Sequence, residues 1–212
     1  MHKALPESKQ SQQLDSLDAS STDKITNIEI KKDRVTSIIQ EYPIEYDQQE
    51  IFDVEFDYIR KDPLSDSTRE IPFSFVYRAG SELLIIDFDS HDNISNEVEE
   101  DIKLLLSDIL NIYAGTGVSR EGLWEFIMSA SEKVELELMH EGEIITFDKL
   151  SDKIGEENII RKKMVSSAEL RFRSDGEDVR INYTNGSISI DYDSEEGKEY
   201  VIQNFEAKAL SD

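Results

Sequence analysis

AELRFRSDGEDVRINYTNGSISIDY, residues 168 to 192, alternates apolar and polar side chains in three successive phases. Ala168, Leu170 and Phe172 mark the first, Val179, Ile181 and Tyr183 the second, and Ile188, Ile190 and Tyr192 the third. A period of two is that of a strand, whose side chains point alternately to opposite faces, so each triplet defines one buried face. Asp175-Gly176 and Asn185-Gly186 separate the triplets, and both dipeptides accept the positive φ of a two-residue hairpin loop. Closing the first turn sets Phe172 opposite Val179. Closing the second sets Tyr183 opposite Ile188, Ile181 opposite Ile190 and Val179 opposite Tyr192. Every apolar residue meets an apolar one, and a slip of one residue would turn each apolar set to water. A helix is predicted after this meander, capped by Ser194 and carrying Glu195 and Glu196 in a first turn that favours negative charge.

A looser version of the pattern lies between Val54 and Tyr113. Its strands are expected on Val54, Phe56 and Tyr58, on Phe73, Phe75 and Tyr77, and on Leu84, Ile86 and Phe88. It ends in IDFDS (86 to 90), where the later stretch ends in IDYDS (190 to 194). Longer connections around Lys61 to Glu70 and Arg78 to Leu83 account for the changing offset, since loops absorb length while strands keep phase. The fold class expected is α+β, with two antiparallel βββα meander-helix units in tandem and extra helices and a hairpin between them.

Working outward, residues 1 to 22 are polar, rich in Ser and Gln and without period, and are read as a disordered N-terminal tail. Residues 23 to 118 form the first α+β unit and residues 119 to 212 the second, the two packed as one compact body. Between Lys24 and Tyr46, Ile25, Ile28 and Ile30 suggest a strand, and Val35, Ile38 and Ile39 a short helix ending before Pro43. Ser95 caps a helix whose stripe is Val98, Ile102, Leu105, Ile109 and Ile112, ended by Gly115 and Gly117. Ser119 caps another, carrying Leu123, Trp124, Ile127 and Met128, with the single Trp read as a core plug. A hairpin from Lys133 to Phe147 turns at Glu141-Gly142, and a short helix from Asp148 stops at Gly155.

Charge is the outstanding compositional property: 47 Asp plus Glu against 23 Lys plus Arg give a formal net charge of −24 in 212 residues. The two halves share it evenly, 24 acids and 11 bases in residues 1 to 106 leaving 23 and 12 in residues 107 to 212. Evenly spread acidity keeps a protein hydrated in concentrated salt, where screening suppresses self-repulsion, so a halophile's cytosol is the leading environment. The 14 Lys against 9 Arg and 25 Ile against 8 Ala run counter to that reading; an AT-rich genome would account for both. There is no cysteine, which excludes disulfides, thiolate metal sites and a cysteine nucleophile. No segment has the hydropathy of a membrane span, and the first 22 residues lack the apolar core of a secretory signal, so a cytoplasmic location is expected.

Chemistry-bearing patterns are sparse. Asp87, Asp89 and Asp92 in DFDSHDN are weak metal candidates: their spacing suits oxygen ligation, but the glycine and distal glutamate of a calcium loop are missing. Asp191 and Asp193 repeat the arrangement without His91 or Asp92, which suits capping better. None of His2, His91 and His140 has a partner at the spacing of a known metal or nucleophile motif. No catalytic residue, cofactor or metal is assigned, and an enzyme is the third choice.

Lys162, Lys163, Arg171 and Arg180 are anion-contact candidates in the one basic region, residues 161 to 180. The register sets Arg173 opposite Asp178 and Arg180 between Arg171 and Asp191, so cross-strand pairing satisfies most of that charge, and nucleic acid is disfavoured as a partner. The outer face of the earlier sheet instead carries Ile59, Val76, Leu83 and Ile85, which must be covered, by the helix expected over 120 to 131 or the other repeat in the first reading and by a second chain in the alternative; they are the partner-contact candidates, for a protein partner or a homo-oligomer. The function expected is a non-catalytic acidic binding or assembly protein of a salt-adapted cytosol. The alternatives are an acidic nucleic-acid mimic inhibiting a DNA-binding protein, and nucleic-acid or anion binding through the C-terminal sheet face.

Overall fold

The computed structural model describes all residues except 7–13, 15–16, 18–21, 41, 46–48, 62–66, 88–94, 114–116, 175 and 211–212. The described elements are, in chain order, β1 (His2–Pro6), β2 (Ile25–Arg34), β3 (Glu50–Lys61), β4 (Thr68–Arg78), β5 (Leu83–Asp87), α1 (Ser95–Leu106), β6 (Leu110–Ile112), α2 (Arg120–Ser129), β7 (Glu132–His140), β8 (Glu143–Thr146), α3 (Phe147–Ile154), α4 (Glu156–Lys162), β9 (Met164–Ser174), β10 (Glu177–Thr184), β11 (Ser187–Asp191) and α5 (Glu195–Ala209). The chain is mixed α+β, and the strand pairings among the described residues are antiparallel. It divides into two compact units, residues 1–36 with 44–114, and residues 37–43 with 115–212.

Unit 1 carries strands in the order β2-β3-β4-β5-β1-β6. The alternation on β3 and β4 turns Phe52, Val54, Phe56 and Tyr58 to the same side as Phe73, Phe75 and Tyr77, all buried. Phe56 lies against Phe73 and Phe75 at ring separations of 6.1 and 6.2 Å, and Tyr58 meets Phe73 edge-on at 6.1 Å. Offset and edge contacts of this kind add to the burial of large rings. Val98 and Ile102 of α1 join the same core, as the helical stripe anticipated, and Leu106 joins them in place of Leu105, which is only partly buried against it.

Three expectations differ here. The helix expected over 96–113 stops at Leu106, and Leu110–Ile112 form strand β6, because Ser107 and Ile109 close turns on the carbonyls of Leu104 and Leu106. Within the stretch read as a disordered tail, β1 pairs through His2 and Lys3 with β5 and through Ala4 to Pro6 with β6, while Ala4, Leu14 and Leu17 are buried. Too few apolar residues mark that segment for any period to show. Residues 35–40 are not helical; the chain leaves β2 extended. Phe88, expected on the third strand, lies outside the described residues.

Unit 2 carries strands in the order β11-β10-β9-β7-β8. The derived register holds: Phe172 faces Val179, Ile181 faces Ile190 and Tyr183 faces Ile188. The β10–β11 ladder ends at Arg180 and Asp191, so the pair expected between Val179 and Tyr192 does not form. Asn185 and Gly186 both have positive φ (47° and 91°), the backbone of the tightest hairpin turn, which explains why that dipeptide fixed the register. Ser194 caps α5 by accepting from the Gly197 amide at 3.1 Å, and Ser119 caps α2 from Gly122 at 3.0 Å. Phe126 of α2 stacks on Phe172 at 5.0 Å and meets Phe205 of α5 edge-on at 5.2 Å, tying both helices to the sheet. A Cβ on Gly122 would lie 2.6 Å from the Ala209 carbonyl oxygen, so only glycine lets α2 approach α5 this closely.

Residues 37–43 belong to this second unit although they connect β2 to β3. They are held by two buried polar side chains of α5. The Gln203 carbonyl oxygen accepts from the amides of Ile38 and Ile39 at 2.8 and 3.3 Å, and Glu206, 1% exposed, accepts from the Tyr42 hydroxyl at 2.5 Å.

Candidate functional site

The later sheet turns one face to its helices and the other to water. On the wet face Arg171 stands opposite Arg180, an arrangement that would be repulsive alone. Carboxylates relieve it: Arg171 lies 3.4 Å from Glu132, and Arg180 lies 3.4 Å from Glu169 rather than using Asp191. Arg173 donates to Asp178 at 2.9 Å and holds that carboxyl below its ordinary range. Of the other two anion-contact candidates, Lys162 ends α4 exposed, and the Lys163 ammonium sits 2.6 Å from His140 Nδ1. The four candidates are therefore split between a paired sheet face and the α4 terminus.

Toward β8 the same face changes character. The Glu141-Gly142 turn, with φ of 54° and 86°, sets Met139 opposite Ile144, and β9 brings Met164 opposite Met139 from the other side. Leu138, Ile145 and Val165 point the other way. Met139, Ile144 and Met164 are 45%, 58% and 70% exposed, three apolar side chains side by side across three strands. Water-facing apolar neighbours of this kind mark contact surfaces more often than singly scattered ones do. The Met139–Ile144 pair was readable from the turn. Met164 was not, because no turn fixes β9 on β7 and the pairing shifts register between Glu137 and Leu138.

A concavity lies in unit 2 between α2 and α4, with a volume of about 380 Å³. Trp124, Met128 and Ile160 form its apolar lining, with Arg120, Glu121, Glu125 and Arg161 around it. Trp124 is fixed from behind: its indole N–H donates to the Lys163 carbonyl at 3.1 Å and its ring lies 6.0 Å from Phe147. Arg120 is engaged by its neighbour Glu121, whose carboxyl it holds below the usual range.

In unit 1 the partner-contact candidates fare unequally. Leu83 is fully buried and Ile85 is 8% exposed, so neither presents a surface; Ile59 and Val76 are half-buried. Asp87 ends β5 opposite Ser74, and Asp89 and Asp92 lie outside the described residues. The densest charge cluster here is structural: Lys24 bonds Glu97 at 3.0 Å and Asp101 at 2.9 Å, and the Tyr58 hydroxyl donates to Asp101 at 2.7 Å. Asp101 and Glu97 raise the Lys24 ammonium, and burial, then Asp101, raises the Tyr58 phenol, so both stay protonated while they tie β3 and the residue preceding β2 to α1.

No family model matches the chain, and no curated protein matches it.

Proposed function

We propose that the chain is a non-catalytic acidic binding protein of a salt-adapted cytosol, meeting a protein partner or a second copy through the corner formed by Met139, Ile144 and Met164. The observation that carries this reading is the adjacency of those three exposed side chains on a face whose arginines are paired with carboxylates. The corner sits at the β8 edge of the sheet, where an extended segment of a partner can add its backbone. The charge of −24 supports the salt-adapted setting, since two carboxylates per cation need counterions. The two units are further read as copies of one βββα module. What supports this is that β3-β4-β5 and β9-β10-β11 are both antiparallel meanders followed by a helix, each taking a further strand on its first member, β2 on β3 and β7 on β9.

The test is Ile144→Glu combined with Met164→Glu, compared with the native chain by light scattering and by co-purification. The double variant should keep its circular dichroism and lose either a concentration-dependent dimer or a co-purifying protein. A native chain that stays monomeric and captures nothing would remove the reading.

A further inference from the structure

We propose that the cleft between α2 and α4 is a binding site for a small amphiphilic monocarboxylate, its apolar tail on Met128 and Ile160 over the floor made by Trp124, which is only 2% exposed, and its carboxylate on Arg161. A volume of about 380 Å³ is at the small end of ligand-sized pockets and accommodates a tail on the order of ten carbons. The lining supplies the apolar part: Met128 is an exposed, adaptable thioether and Ile160 is half-buried beside it.

The charge argument concerns Arg161. Unit 2 has five arginines, and in so acidic a chain four of them have recruited a carboxylate: Arg120 with Glu121, Arg171 with Glu132, Arg173 with Asp178 and Arg180 with Glu169. Arg161 has no such partner among the described residues, although Glu157 precedes it by one helical turn. A planar guanidinium at the border of an apolar cleft matches a carboxylate in two parallel hydrogen bonds. Across the cleft Glu125 repels a second negative group, so a monocarboxylate fits and a dicarboxylate or a phosphate ester does not. This inference is independent of the sheet-corner reading above, which concerns other residues.

Trp124 is the only tryptophan of the chain, so its fluorescence reports this cleft alone. The full-length protein is titrated with sodium octanoate, octylamine and 1-octanol. Octanoate should give a saturable change in emission, with affinity roughly tenfold above that of octanol, since one charge-assisted contact is worth that much, and octylamine should give none. Arg161→Gln should weaken octanoate to the level of octanol, and Met128→Glu should abolish both responses, with circular dichroism unchanged in each case. Should Met128→Glu fail to fold, the Arg161→Gln comparison stands alone, because Arg161 is exposed. Equal response to octanoate and octanol in the native protein, no saturable response, or an Arg161→Gln variant with native affinity would overturn the proposal.

Discussion

The two sheets use the same alternation but dispose of their second faces differently. In unit 1 the face opposite the aromatic core is itself largely dry at β5, with Leu83 and Ile85 buried and the neighbouring Arg78 only 1% exposed. In unit 2 that face is wet, its arginines paired with carboxylates, and carries Met139, Ile144 and Met164 as exposed apolar neighbours. A strand buried on both faces no longer alternates, whereas a strand wetted on one face must. The difference is thus written in the side chains before it is written in the fold.

The sharpest way to break the comparison is to put the same charge on both faces. Ile85→Glu places a carboxylate in a site 8% exposed and should cost about 3–5 kcal/mol, as uncompensated buried charges do. Met139→Glu, on the wet face, should stay within about 0.5 kcal/mol. Urea denaturation of both variants decides it; equal losses would mean that the two faces are alike.

Next in size is the closure of unit 2 by residues 37–43. Tyr42→Phe removes the hydroxyl that donates to the buried Glu206 carboxylate and should cost about 2 kcal/mol. The loss should show as faster amide exchange along α5, with β3 and β4 of unit 1 unaffected. Native protection of α5 in the variant would show that the Tyr42–Glu206 bond contributes nothing to unit 2.

The smallest effect expected is a difference in acid sensitivity. His2 in unit 1 is held below its ordinary value of 6.5 by burial first and then by the chain's amino group, with Lys103 acting the same way and Glu99, 3.2 Å away, opposing. Its folded form therefore resists a proton that the unfolded chain takes up readily. The stability that depends on neutral His2 is complete above pH 6.5 and declines as pH falls below it. Protection factors at Val54 and Phe56, taken relative to the intrinsic exchange rate at each pH, should fall between pH 7 and 5 more than those at Leu170 and Ile181. A His2→Gln variant that retains the same acid response would assign it to other groups.

Legibility followed the same division. The later meander was readable because Asn185-Gly186 and Asp175-Gly176 leave one closure each, and because Arg171, Asn182 and Ser189 interrupt the apolar residues at every second position. The earlier one was readable in its strands but not in its surroundings. β1 and β6 are five and three residues long, below the length at which a period can be counted, and their partners lie some eighty or more residues away. The α2–α4 cleft was invisible for another reason. Trp124 and Arg161 are brought together by α4, a seven-residue helix whose sequence, EENIIRK, carries two apolar residues and no distinctive pattern. Leu83 and Ile85 are buried within the chain, the side on which the sequence reading of that face fell, although the residues themselves do not say which segment lies over them.

The strap also sets a timetable. Ile38 leaves the ribosome 165 residues ahead of the glutamine that will bind it. At roughly 5–20 residues per second, synthesis separates the two by about 10–30 s. For that interval β2 and β3 are already available to pair, while the segment between them waits with its amides and the Tyr42 hydroxyl turned to water. Unit 2 is thus finished by a piece made before any of its strands, held by a helix that follows all of them. A nascent chain arrested before α5 should hold residues 37–43 open to a protease that the completed protein resists.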